Sequence, residues 1–255
     1  MSFYGRAHAC QICITYVFTQ DIPEKDDSKM NTCKSRQQKT HKMNTNTMKS
    51  HNRIKMNLSK IQGSVAKTQP ENNNEIQSAI ILLHGYGGDG KDISMLTLNW
   101  KRHMPNTVFI CPNGHETCHI NPSGFQWFDL TKDDSDYILD QSNKAEKKIQ
   151  KFIEEIKREF DLKNNQICLS GFSQGCMISL NVGLTSEEKF SCIVGFSGKI
   201  INQDNLKIRI KNSTDTLLIH GDADQVVPST HLLEAKDFLI RNNVNVETLL
   251  IKNCD

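Results

Sequence analysis

The sequence predicts an α/β fold, a mostly parallel sheet with helices on both faces. Three observations carry that prediction. Short apolar runs recur from residue 78 onward, most of them ended by glycine or proline. Segments with apolar residues at helical spacing lie between them. Strand and helix patterns alternate, as parallel strands joined by crossover helices require.

The first strand is Ala79-Ile-Ile-Leu-Leu83, followed by Thr107-Val-Phe-Ile-Cys111 before Pro112. Gln166 to Ser170, Phe190 to Phe196 and Thr216 to His220 are the third, fourth and fifth. Val244 to Ile251 is the sixth, alternating at first and then continuously apolar. The clearest helix puts apolar residues at 145, 149, 152, 153, 156 and 160, one stripe with charges on the other faces. Gly175 to Leu184 and Ser229 to Ile240 complete the helices, the latter following Pro228.

Composition divides the chain in two. It has 255 residues, 37% hydrophobic and 24% charged, with a net charge of +2. Ser28 to Pro70 holds ten Lys or Arg and no Asp or Glu, whereas Glu71 to Asp255 holds 19 basic and 25 acidic residues. Residues 1–76 are therefore read as a basic, disordered N-terminal extension, too poor in apolar side chains to offset its ordering entropy, and 77–255 as the folded domain. No aromatics are interleaved with its Lys and Arg to stack bases, so nucleic acid is not an expected partner. Translation starting at Met56 would leave a leader of ordinary length. The semi-apolar stretch Ala9 to Phe18 is broken by Cys10, Gln11 and Cys13 and makes a poor secretory signal. No apolar run is long enough to span a membrane. Nine irregularly spaced cysteines, several inside strand-like runs, point to buried thiols and a cytoplasmic setting.

The chemistry centres on Gly171-Phe-Ser-Gln-Gly175, a G-x-S-x-G pentapeptide between a strand and a helix. A turn this tight excludes side chains two residues either side of Ser173, leaving its Oγ exposed above the helix N-terminus as a nucleophile. Acyl transfer also needs donors for the developing oxyanion. The backbone N–H of Gln174 is one, and that of Tyr86, in the glycine-rich loop Leu83-His-Gly-Tyr-Gly-Gly-Asp-Gly90, is the other. His84 in this loop suits a structural role better than a catalytic one. The acid is expected after the fifth strand, in His220-Gly-Asp-Ala-Asp-Gln-Val-Val-Pro228. Asp224 is the choice for orienting the base, and its competitor Asp222 is read as a turn former.

These segments, with Ile110-Cys-Pro-Asn113 and Gln126-Trp-Phe-Asp129, occur in an order that resembles the phospholipase/carboxylesterase family of α/β-hydrolases, which includes acyl-protein thioesterases. The resemblance spans residues 78 to 255. It implies an α/β-hydrolase fold and hydrolysis of small acyl esters or thioesters through an acyl-enzyme, with no metal or cofactor. It carries the catalytic serine and acid onto Ser173 and Asp224, and the oxyanion donors onto Tyr86 and Gln174. Trp127 and Phe128 would lie near the acyl site as substrate-binding residues, with a core role as the competing reading. The family's histidine would follow at about the position after Asp255, ahead of a final helix. The expectation is thus an α/β-hydrolase domain incomplete at its C-terminus, with a catalytically dead remnant as the alternative to an active enzyme. His231 is weighed as a substitute base and read as packing or solvent-facing.

Three further patterns are set aside. His115-Glu-Thr-Cys-His119 matches H-E-x-x-H, but prolines and glycines on both sides place it in a loop rather than on the helix a zinc site needs. Gly85 to Lys91 resembles a phosphate-binding loop, but Asp92 stands where Ser or Thr would hold magnesium. Cys10-x-x-Cys13, with His8 and Cys33, lacks a second paired half for a metal site.

Overall fold

Each predicted apolar run becomes a strand, and their order in the sheet creates a crevice at the carboxyl ends of two of them. The computed structural model describes residues 66–68, as backbone, and 75–255. The strands are β1 (Ala66–Thr68), β2 (Ser78–Leu83), β3 (Thr107–Cys111), β4 (Glu116–Thr117), β5 (Phe125–Gln126), β6 (Ile167–Phe172), β7 (Cys192–Phe196), β8 (Thr216–Gly221) and β9 (Val246–Ile251). The main sheet runs β1-β3-β2-β6-β7-β8-β9. All its pairs are parallel except β1 with β3. The chain winds outward from β2 to β3, then crosses to β6 on the other side. Strand order therefore reverses between β2 and β6, and the loops leaving their carboxyl ends splay apart there.

Two features differ from the sequence prediction. β1 lies inside the segment assigned to the disordered extension, because pairing with the edge of β3 makes a strand of residues that have no periodicity of their own. Apart from Glu75 and Ile76, the rest of the extension, with Cys10, Cys13, Cys33 and Met56, lies outside the described residues. β4 and β5 form a small antiparallel hairpin across the segment carrying His115 and His119, so those two histidines share no helical face.

The helices are α1 (Gly90–Ser94), α2 (Thr97–Trp100), α3 (Ser135–Phe160), α4 (Gln174–Thr185), α5 (Gln203–Arg209) and α6 (Thr230–Arg241). α3 begins about a third of its length ahead of its apolar stripe, because the Asp134 side chain caps the amides of Asp136 and Tyr137. Its first turns hold only Tyr137, Ile138 and Leu139 as large apolar residues, adjacent in the chain and so without helical spacing to read, and of these Ile138 packs against the core. α3 and α4 bury Ile149, Phe152, Ile156, Met177, Ile178 and Val182 against Ile81, Leu83 and Leu169 on one sheet face. α6 continues that layer through Leu232, Phe238 and Leu239. On the other face α1 and α2 set Ile93, Leu96 and Trp100 over Ile80, Leu82 and Phe109. Toward β8 and β9 the cover on that face is thinner, and Leu217, Leu249 and Ile251 are only partly buried. Glu146 of α3 is buried against Asn181 of α4 at 2.7 Å and Arg209 of α5 at 2.8 and 3.2 Å, a polar tie among three helices. Among the described residues no helix is long and apolar enough to cross a membrane.

Candidate active site

Ser173 sits where β6 turns into α4, with φ 52° and ψ −113°, a conformation that L-residues rarely adopt. Its N–H donates to the carbonyl of Phe196 on β7 at 2.8 Å, and its carbonyl accepts from Met177. The strained residue is thus held by its neighbours. Both flanking glycines are required by close approach. A Cβ on Gly171 would run into the backbone of Gly175, and one on Gly175 into the carbonyl of Leu83. These contacts press α4 onto the end of β2 and aim its N-terminus at the crevice.

The loop after β2 lies directly beside the serine, since a Cβ on Gly85 would stand 3.4 Å from Ser173 Cβ. Gly88 N–H donates to the Gly85 carbonyl at 3.0 Å, closing a turn with Tyr86 and Gly87 at its centre. Gly87 takes φ +76°, the sign that the third position of a type II turn demands. The hairpin braces the turn: Gly87 N–H donates to Phe125 O at 2.9 Å, and Phe125 N–H to Gly88 O at 2.8 Å. Asn113, quoted in the sequence for its motif alone, accepts from the Gly90 amide at 2.7 Å and anchors the far end. The backbone N–H groups of Tyr86 and Gln174 find no acceptor among the described residues.

His84 is fully buried. Its Nε2 accepts from Gly114 N–H at 2.8 Å, so Nδ1 carries the proton and donates to the Gly85 carbonyl at 2.7 Å. Burial outweighs that bond and holds its pKa down to about 4. With both nitrogens engaged, His84 is structural. Burial, then the adjacent Cys118 thiol, pushes the Tyr86 phenol up to about 12.

Asp224 follows β8 and shares with Ser173 a cleft of about 560 Å³. Its Oδ1 accepts from the amides of Val226 and Val227, both at 2.9 Å, and its Oδ2 stands 3.6 Å from His220 Nε2. His220 is buried and donates from Nε2 to the Val227 carbonyl at 2.7 Å, tightening the same turn. Asp222 Oδ1 instead accepts from Asn253 N–H at 2.7 Å, and Ala223 N–H donates to the Cys254 carbonyl at 2.9 Å. Those bonds carry Asn253 and Asp255 to the cleft rim, beside Phe172, Ser197, Val226 and Val227. None of His84, His103, His115, His119, His220 or His231 lines the cleft. His231 pairs with Glu234 on the outer side of α6 at 2.8 Å.

The expected substrate-binding role of Trp127 and Phe128 requires correction. Both are fully buried in the core beneath the loop, and neither lines the cleft. The Gln174 side chain holds them there, accepting from Trp127 N–H at 2.9 Å and donating to Phe128 O at 2.7 Å. Asp129, the next residue, turns away to Thr131 and Tyr137. Burial acts to raise its pKa, but these hydrogen bonds outweigh it and hold the carboxyl low.

Residues 64–253 match the family model described as Phospholipase/Carboxylesterase. The chain belongs to that family. Acyl-protein thioesterase 1 of Saccharomyces cerevisiae is 32% identical over 195 residues, covering 68% of this chain and 79% of that protein. Acyl-protein thioesterase 1 of Emericella nidulans is 32% identical over 169 residues, covering 59% and 71%. Among solved structures, esterase PE8 is 32% identical with a TM-score of 0.71, over 75% of this chain and 89% of that one. Arabidopsis thaliana SOBER1 shares the fold at 20% identity and a TM-score of 0.61, over 69% of this chain and 89% of that one.

Proposed function

We propose that the protein is a serine hydrolase that cleaves small carboxylic esters or thioesters through an acyl-enzyme on Ser173. The observation carrying this reading is a strained, half-buried serine at a helix N-terminus, in one cleft with Asp224 and beside two amides without acceptors among the described residues. Ser173 Oγ would attack the acyl carbonyl while a histidine imidazole takes its proton. The carbonyl electrons move onto oxygen, where the N–H groups of Gln174 and Tyr86 stabilise the charge. Collapse expels the alcohol or thiol, protonated by the imidazolium, and water then releases the acid by the same route. Asp224 orients the imidazole and balances its charge. The base would enter beside Asn253 and Asp255, the one rim of the cleft built from the segment after β9. With Trp127 and Phe128 in the core, the acyl chain would meet Phe172, Val226 and Val227. The names of the thioesterase relatives support including thioesters. Six free cysteines among the described residues support a reducing, cytoplasmic setting.

The test is hydrolysis of a short-chain p-nitrophenyl ester by the 255-residue chain, with free imidazole supplied as a mobile base. The expected result is protein-dependent turnover that rises with imidazole and disappears in Ser173→Ala. Equal rates for the two proteins at every imidazole concentration would overturn the reading.

A further inference from the structure

The two amides assigned to the oxyanion sit on separate elements. One opens α4 and the other lies in the turn after β2. For both to reach one oxygen at about 2.7–3.1 Å, something must set their separation. A continuous buried hydrogen-bond chain joins them. It starts at the fully buried side chain of Gln174, the residue that also supplies the first amide. That carboxamide clasps the backbone of the next loop at two points, accepting from Trp127 N–H at 2.9 Å and donating to Phe128 O at 2.7 Å. Trp127 Nε1–H donates to the His84 carbonyl at 2.8 Å. The His84 ring lies over the Trp127 indole, centroids 4.9 Å apart and planes at 32°. His84 Nδ1–H then donates to the Gly85 carbonyl at 2.7 Å, the same oxygen that closes the turn around Tyr86 by accepting from Gly88 N–H.

Resting on the hydrolase reading above, we infer that Gln174 and Trp127 are positioning residues whose side chains set the distance between the oxyanion-binding amides of Gln174 and Tyr86. Each link is specific to its atom. The Gln174 carboxamide offers an acceptor and a donor on one planar group, matching the N–H of Trp127 and the C=O of Phe128. An indole places a donor at the far edge of a large apolar ring, so Trp127 fills the core and still reaches the His84 carbonyl. The neutral Nδ1–H tautomer of His84 is the only one that satisfies both its partners. Buried in a low-dielectric interior, the chain resists stretching, and a shift at one end is felt at the other.

Trp127→Phe keeps the aromatic packing and removes only the indole donor. Gln174→Met keeps the volume and removes both clasping bonds. The first measurement is amide hydrogen exchange followed by NMR on the 255-residue chain. Both variants are expected to lose protection at Gly87 and Gly88 by about 10-fold or more. The amides of Val226 and Val227, held by Asp224 elsewhere on the cleft, keep theirs. The second measurement is imidazole-supported, Ser173-dependent ester hydrolysis. It should fall about 10-fold in kcat for Trp127→Phe and more for Gln174→Met, with KM within about two-fold of the parent. Unchanged exchange at Gly87 and Gly88, a uniform loss across the whole sheet, or an unchanged kcat would each overturn the inference. If the parent chain has no Ser173-dependent rate, the hydrolase reading falls. The exchange pattern still decides whether the two amides are coupled.

Discussion

The amide of Ser173 donates to the carbonyl of Phe196 across the β6–β7 boundary at 2.8 Å, so the turn bearing the proposed nucleophile is fastened to the neighbouring strand. That bond keeps a non-glycine residue at φ 52° and ψ −113°. Strain of this kind costs about 1–3 kcal/mol and persists only where surroundings enforce it.

Relieving the strain should stabilise the fold. Ser173→Gly is expected to raise the unfolding free energy by about 1 kcal/mol in urea denaturation, after glycine's extra unfolded-state entropy is discounted. Ser173→Ala keeps the strain and should stay near the parent. If glycine gives no gain over alanine, the turn is not strained as described.

The flanking glycines should respond oppositely. Gly175→Ala forces a methyl into the Leu83 carbonyl, and Gly171→Ala into the backbone of Gly175, where no side chain can give way. Each is expected to cost at least about 2 kcal/mol in the same assay. A loss below about 0.5 kcal/mol would mean that α4 is not pressed onto β2 so closely.

His84 makes a pH-dependent contribution of known sign. In the unfolded chain its imidazole titrates near its ordinary 6.5, whereas burial holds it at about 4 in the fold. Between these values the unfolded state binds the extra proton. Stability therefore falls as pH drops from 6.5 to 4, by about 3 kcal/mol in all, and this term levels off below. Imidazole ¹⁵N NMR at pH 5 should find His84 neutral with the proton on Nδ1. An imidazolium signal there would refute the assignment.

The Glu146–Arg209 pair tests how the helical layer is held. Arg209→Ala leaves the buried Glu146 carboxylate with its hydrogen bond from Asn181 but without its counter-charge and is expected to cost about 3 kcal/mol. The paired replacement Glu146→Gln with Arg209→Ala should recover part of that loss, because no charge is left buried. Denaturation of the two variants makes the comparison, and equal stabilities would mean that charge burial is not the cause.

Local signals in the chain were enough for the parallel strands, the α4 turn and the Asp224 loop, because each is a short-range pattern. Apolar runs ended by glycine need no distant partner to be recognised, and the G-x-S-x-G turn is readable from five adjacent residues. β1 was not readable, because Ala66–Thr68 becomes a strand only by pairing with β3. The hairpin of β4 and β5 likewise depends on two strands of two residues each, too short to show alternation, and on the loop they brace.

Trp127 and Phe128 mark the boundary most sharply. Their identity made them candidates for an acyl site, but Gln174, 47 positions from Trp127, pulls them into the core. The sequence by itself determined which residue types stand at which local features: Ser173 at a tight turn, Asp224 after a strand, and glycines where the backbone must come close. Only the tertiary structure decided what those residues face. It seated His84 as a neutral buried strut, set Asp224 across one cleft from Ser173, and joined the Gln174 and Tyr86 segments through Trp127. The physical reason is range. Turn chemistry and periodicity act over a few residues, whereas buried hydrogen bonds between distant segments exist only after the sheet has brought those segments together.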